Sequence, residues 1–107
     1  MKKKTTKKKT PENPQLNRVV LVRNRSAGVH CGTLKSLKGT QVVLTDATRI
    51  WSWYGANTLS EVSRTGVINS KSRISVVVPE IILTEAIEVI QCSEAAAKSL
   101  LTSGWAK

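Results

Sequence analysis

The apolar residues of this chain fall in short β-branched runs separated by polar and glycine-containing breaks, with few helical stripes. Val19-Val20-Leu21-Val22, bounded by Arg18 and Arg23, predicts a first strand. Asn24 to Gly28 reads as a loop, and Val29 to Leu37 as a second strand. Lys38-Gly39 is a hairpin signal, with Gly39 free to take positive φ. Gln41 to Thr45 predicts a third strand, Asp46-Ala47-Thr48 a turn, and Arg49 to Trp53 a fourth strand. Short strands joined by tight turns make an antiparallel meander.

The pattern then changes. Thr58-Leu59-Ser60-Glu61 matches a capping box, in which Thr58 accepts from the third helical amide and Glu61 reaches back to the cap. Leu59 and Val62 share one face, and Gly66 suits the residue just past the helix end. Ile74 to Val78 predicts a strand ended by Pro79. Glu80 to Thr84 and Ile87 to Gln91 read as two strands, or as one with a bulge near Glu85. Ser93 caps a second helix from Glu94, where Ala and Leu favour helix and Glu94–Lys98 is an i, i+4 pair. The expected class is α+β: a mainly antiparallel sheet with two short helices, the second C-terminal. The runs at 74–78 and 80–83 are apolar on both faces, so a homo-oligomer, dimer or hexamer, is expected to cover them.

Charge divides the chain. Met1 to Lys9 carries six lysines and no acid, and Pro11, Asn13 and Pro14 follow. Residues 1–17 read as a disordered lysine-rich arm and 18–107 as one small β-rich domain. The net charge is +10; the arm holds six Lys against Glu12, and the body eleven cations against six acids. Each therefore contributes +5, and an anionic partner is expected. Cys31 and Cys92 form no CxxC motif, and one His with two Cys is not a convincing zinc set. The N-terminus lacks an apolar segment behind its charges, and no stretch is long enough to span a bilayer. A cytoplasmic protein with free thiols, no cofactor and no membrane is expected.

Catalysis finds little support. His30 and Cys31 are adjacent on a strand and point to opposite faces, and the only aspartate, Asp46, falls in a predicted turn. The chain is read as a non-enzyme. Binding is better supported. Three of the four aromatic residues lie in Trp51-Ser52-Trp53-Tyr54, and there is no Phe. Arg49, Trp51 and Trp53 at i, i+2, i+4 would share one strand face, a surface able to stack a base and pair a phosphate. The same three residues could instead fill the core of a small sheet. Gly55 and Ala56 leave room for a ligand, Asn57 can donate and accept, and the start of the Thr58 helix adds a positive dipole end. Arg23-Asn24-Arg25-Ser26-Ala27-Gly28 pairs two cations with small residues whose amides can approach an anion. The ligand-binding candidates are Arg23, Arg25, Gly28, His30, Arg49, Trp51, Trp53, Ala56 and Asn57.

Three stretches carry a family resemblance: Ser26 to Lys35 (Ser-Ala-Gly-Val-His-Cys-Gly-Thr-Leu-Lys), Val42 to Glu61, and Glu80 to Ile90. They resemble the phage Thoeris anti-defence sponge proteins. That resemblance implies an antiparallel sheet with helices, assembled as dimers or higher oligomers in a bacterial host cell. It implies a protein that binds a cyclic ADP-ribose-type immune signal and holds it intact. Some members of that family also bind cyclic oligonucleotides at a second site. The lysine arm departs from the compact pattern and leaves open a non-specific nucleic-acid contact through residues 1–17. The competing reading is a small basic nucleic-acid-binding module that stacks bases on Trp and tracks phosphates with the arm.

Overall fold

A computed structural model describes residues 16–107. The arm reading therefore lies outside the described residues except at its end, where it is corrected. Leu16 packs against the core, and the Asn17 amide donates to the Leu34 carbonyl at 2.8 Å. These two residues belong to the body because Leu16 finds apolar neighbours.

The chain is α+β, as its pattern predicts. A seven-stranded sheet, antiparallel throughout, carries two short helices, the second near the C-terminus. Strands β1 (Val19–Asn24), β2 (Gly28–Lys38) and β3 (Gln41–Ser52) form the meander. Gly39 turns the β2–β3 hairpin at φ 59°. After helix α1 (Leu59–Thr65) and a single 3₁₀ turn (Asn69–Lys71) come β4 (Arg73–Ile74), β5 (Val78–Leu83) and β6 (Ala86–Gln91). Helix α2 (Glu94–Leu100) and the short β7 (Gly104–Trp105) close the chain.

The predicted turn at Asp46-Ala47-Thr48 is corrected: β3 runs unbroken through it. Thr45 pairs with Thr33 and Thr48 with Cys31, so Asp46 and Ala47 together oppose Gly32 alone. That two-against-one count is a β-bulge, and Asp46 takes the left-handed φ of 50° that it needs. The bulge brings the strands so close that a Cβ on Gly32 would lie 2.9 Å from the Ala47 Cβ and 3.1 Å from the Leu44 Cβ. The expected strand at 74–78 is corrected too. Arg73–Ile74 is a short strand by itself, Val78 already begins β5, and Pro79 lies within β5 instead of ending a strand. Thr45 pairs with Glu80 and Ala47 with Val78, which leaves Pro79 beside the bulge, where a missing N–H costs no ladder bond.

The sheet is curled. β5 pairs with β3 and β6 with β1, yet only Thr84 and Glu85 separate β5 from β6. The two ends of the β6–β1–β2–β3–β5 sheet must therefore meet at this corner. Side chains and backbone bind it there: Glu85 N–H donates to Asn24 Oδ1 (3.1 Å), Arg25 N–H to the Glu85 carbonyl (2.9 Å), and the Thr40 hydroxyl to the Thr84 carbonyl (3.1 Å). The concave face buries Val20, Val22, Leu34, Val42, Leu44, Ala47, Leu83 and Ala86.

The opposite face packs Leu21, Cys31, Ile50 and Ile74 against Val62 of α1 and Ala96 and Leu100 of α2. Both helices are two turns long and depend on this burial. Their predicted caps are present. Thr58 Oγ1 accepts from the Glu61 amide (3.2 Å), Gly66 ends α1, and Ser93 Oγ accepts from the Ala96 amide (3.1 Å). Each such cap contributes about 1 kcal/mol. Among the described residues, no helix is long and apolar enough to cross a membrane.

Candidate functional site

Arg49 and Trp51 alternate along the last turn of pleat in β3 and point away from the helices. Thr48 and Ile50, between them, face α2: the Thr48 hydroxyl donates to the Leu100 carbonyl at 2.8 Å, and Ile50 joins the helix-side core. Ser75 fastens the other edge of the strand. Its hydroxyl accepts from the Arg49 amide (2.8 Å), and its own amide donates to the Arg49 carbonyl (2.9 Å). The backbone around Arg49 is thereby held on both sides, by β2 and by Ser75.

A cleft of about 570 Å³ opens beside this strand end. Ser26, Ala27, Gly28 and Val29 form one wall; Arg49, Ile50, Trp51 and Trp53 form the other. Among the described residues, its walls carry one cation, two indoles and a loop of small residues, with no carboxylate, thiol or imidazole. Trp51 is 62% exposed, whereas Trp53 is half-buried. One tryptophan therefore serves the core and the other faces solvent.

The shared face of all three residues is corrected. β3 ends at Ser52, so the pleat no longer governs Trp53. That ring packs against the helix-side core, and its Nε1–H donates to the Ala56 carbonyl at 3.2 Å. Ala56 thus supports the cleft by anchoring Trp53.

His30 sits behind Arg49 on the neighbouring strand, in register with it. It is 1% exposed. Arg49 Nε–H donates to His30 Nε2 at 3.2 Å, which places the imidazole proton on Nδ1. Burial first, and the Arg49 charge second, push the His30 pKa down to about 4. The ring is therefore neutral at pH 7 and serves as an acceptor that aims the guanidinium. Among the described residues no acceptor takes the Arg49 Nη groups, which remain available at the cleft. His30, Arg49, Thr48 and Ser75 also border a smaller cavity of about 210 Å³, walled on its apolar side by Val76, Val78 and Ile81. His30 Nδ1 is buried and has no hydrogen-bond partner. An unsatisfied donor of this kind costs about 1–3 kcal/mol.

The remaining candidates lie elsewhere. Arg23 approaches Glu88 at 3.9 Å on the β1–β6 pair. Arg25 is exposed in the loop, outside the cleft walls. Asn57 is also exposed, and its amide donates to Glu61 Oε1 at 3.0 Å. The start of α1 is therefore occupied by its own capping box and lines no cleft, contrary to the expected dipole contribution. Sequence reasoning missed Trp105. Its ring stacks on Trp51 with centroids 6.4 Å apart and planes 27° apart, and Arg73 lies 5.6 Å over it. Fifty-odd residues separate Trp51 from Trp105, so no local spacing could reveal the pair.

The two cysteines are free thiols in the helix-side core. The neighbouring Cys92 thiol, and then burial, push the Cys31 thiol up, while Cys31 lowers Cys92.

Fold and site together define a small curled-sheet protein with an arginine–tryptophan cleft at the end of its longest strand. The chain belongs to the family described as a domain of unknown function (DUF6948), which matches residues 17–100. That match takes in the whole cleft and stops short of β7, so Trp105 lies beyond it. The chain matches no curated protein.

Proposed function

We propose that this protein binds a nucleotide-type ligand in the Arg49 cleft and holds it without cleaving it. The ligand class is a cyclic ADP-ribose-type immune signal, as the resemblance to the phage anti-defence sponges implies. The observation that carries the reading is the convergence of Arg49, Trp51 and Trp53 with the Ser26–Gly28 loop on one cleft. A volume of about 570 Å³ lies within the usual range of small-molecule sites. The indoles supply planes for a base. Arg49, aimed by His30, supplies a fork for a phosphate. The loop lets a ligand approach backbone amides closely. Holding over cleaving is supported by the described walls: the Ser26 hydroxyl donates to Glu85, and no thiol or imidazole lines the cleft with it.

Calorimetry against cyclic ADP-ribose isomers and cyclic oligonucleotides tests this. One of these ligands binds tightly and is recovered intact after denaturation. Arg49 is exposed in the free protein, so Arg49→Ala weakens binding by about 2 kcal/mol or more if the bound ligand desolvates the guanidinium–phosphate pair. Its unfolding transition stays close to the parent's. Recovery of a cleaved ligand, or unchanged affinity in Arg49→Ala, would overturn the proposal.

A further inference from the structure

The helix-free face of the sheet continues past the cleft to the edge strand β7. Two large aromatics are left in water there, Trp51 at 62% and Trp105 at 55% exposure. They lie against each other, and the Arg73 guanidinium sits over the Trp105 ring. The backbone is built to hold this arrangement. Arg73 pairs with Trp105 across the β4–β7 ladder, Arg73 Nε–H donates to the Ala106 carbonyl (2.8 Å), and Ala106 N–H donates to the Ser72 carbonyl (3.1 Å). Next along the chain ends, Tyr54, Lys71 and Lys107 border a shallow depression of about 320 Å³. Tyr54 is itself 62% exposed.

The charge on this face is of one sign. Among the described residues the ion pairs are Arg23–Glu88 and Lys35–Glu80, both away from it. Glu85 accepts from the Ser26 hydroxyl and Glu61 from the Asn57 amide. Among the described residues, no Asp or Glu side chain lines the depression or the cleft beside Trp51. The surface thus alternates flat rings with unpaired cations.

We propose that the Trp51–Trp105–Arg73 surface, extended by Tyr54, Lys71 and Lys107, is a binding site for single-stranded nucleic acid. It is separate from the cleft, although Trp51 belongs to both. A linear strand presents both matching features at once: bases to stack on the rings and phosphates at short intervals for the cations. A second copy of this chain is a poor occupant, because it would bring another +10 to a face that is already cationic. An acidic peptide would match the cations and leave the indoles unused.

The test uses the full chain and a fluorescein-labelled oligothymidylate of about 20 nucleotides, long enough to cover one small domain. Anisotropy is read across a salt series. Trp105→Ala weakens binding about fivefold or more, the loss of one stacked base, with the salt slope unchanged because no cation is removed. Trp105→Phe keeps most of the affinity. Lys71→Ala with Lys107→Ala flattens the slope by about one to two counterions. The proposal is overturned if the parent chain fails to bind, if Trp105→Ala binds like the parent, or if Trp105→Ala acts by shrinking the sedimenting species. Arg49→Ala weakening cyclic-ligand binding while leaving this affinity largely intact would separate the two sites.

Discussion

Protonation of His30 should make the protein measurably acid-sensitive well above the carboxylate range. His30 is the only histidine in the chain, so between pH 5 and 7 its titration is nearly isolated. Its folded pKa is lowered to about 4, against 6.5 when unfolded. The unfolded chain therefore binds the proton more tightly. Stability is full above about pH 6.5 and falls as pH drops toward 4, with a slope approaching 1.4 kcal/mol per pH unit. Between pH 7.5 and 5 the loss comes to about 2 kcal/mol. Because the side chain is 1% exposed, solvent screening does little to reduce this figure. The physical cost is twofold: a charge enters an apolar site, and the protonated ring can no longer accept from Arg49 Nε–H. Urea unfolding at fixed protein concentration reads the effect as a midpoint lower by about 1–2 M at pH 5, given ordinary slopes for a small domain. In His30→Leu the pH dependence in this window should vanish, whatever that variant's absolute stability. A parent midpoint that stays flat from pH 7.5 to 5, or an equal slope in His30→Leu, would refute the reasoning.

Two further outcomes are expected. Gly32→Ala should destabilise by about 1–3 kcal/mol in thermal or urea unfolding, since its Cβ would meet the Ala47 and Leu44 Cβ atoms and the Thr45 carbonyl at 2.9–3.1 Å; a neutral effect would mean that the bulge can relax. Sedimentation at micromolar concentration should find a homodimer or larger, because Val76 (72%), Ile82 (53%) and Ile87 (57%) leave apolar surface in water; a monomer at high concentration would sink this.

Local chemistry made much of the fold legible. The two helices were readable because Thr58, Glu61, Gly66 and Ser93 act within one turn of themselves; Thr58, Gly66 and Ser93 cap as expected, while Glu61 reaches one residue further back, to the Asn57 amide. The β2–β3 hairpin was readable for the same reason, through Gly39. Errors arose where a distant strand decides the outcome. Asp46 carries a turn signal, and it does take positive φ, but the partner Gly32 on β2 converts that conformation into a bulge. Pro79 carries a stop signal, and only the position of that bulge on β3 lets β5 run through it. Within the site, Arg49 and Trp51 were legible from strand alternation. Trp53 was not, because its orientation depends on where pairing to β4 ends, and Trp105 depends on a contact across more than fifty residues.

The bulge that the sequence disguised as a turn also decides which residues reach the binding face. Before it, Val42 and Leu44 occupy the concave face of β3; after it, Ala47, Arg49 and Trp51 do. Even numbers give way to odd ones at Asp46. Side chains alternate strictly along a strand, so one extra residue inverts every later position. Without the insertion, continued alternation would turn Arg49 and Trp51 toward Leu100 and Val62, and Thr48 and Ile50 to the opposite face. A guanidinium would then be buried among helix-side apolar groups, at a cost of several kcal/mol. The left-handed Asp46, the absent Cβ of Gly32 and the missing amide of Pro79 are thus three parts of one device. The device lets a single strand supply the core with Val42 and Leu44 at one end and present a cation and an indole at the other.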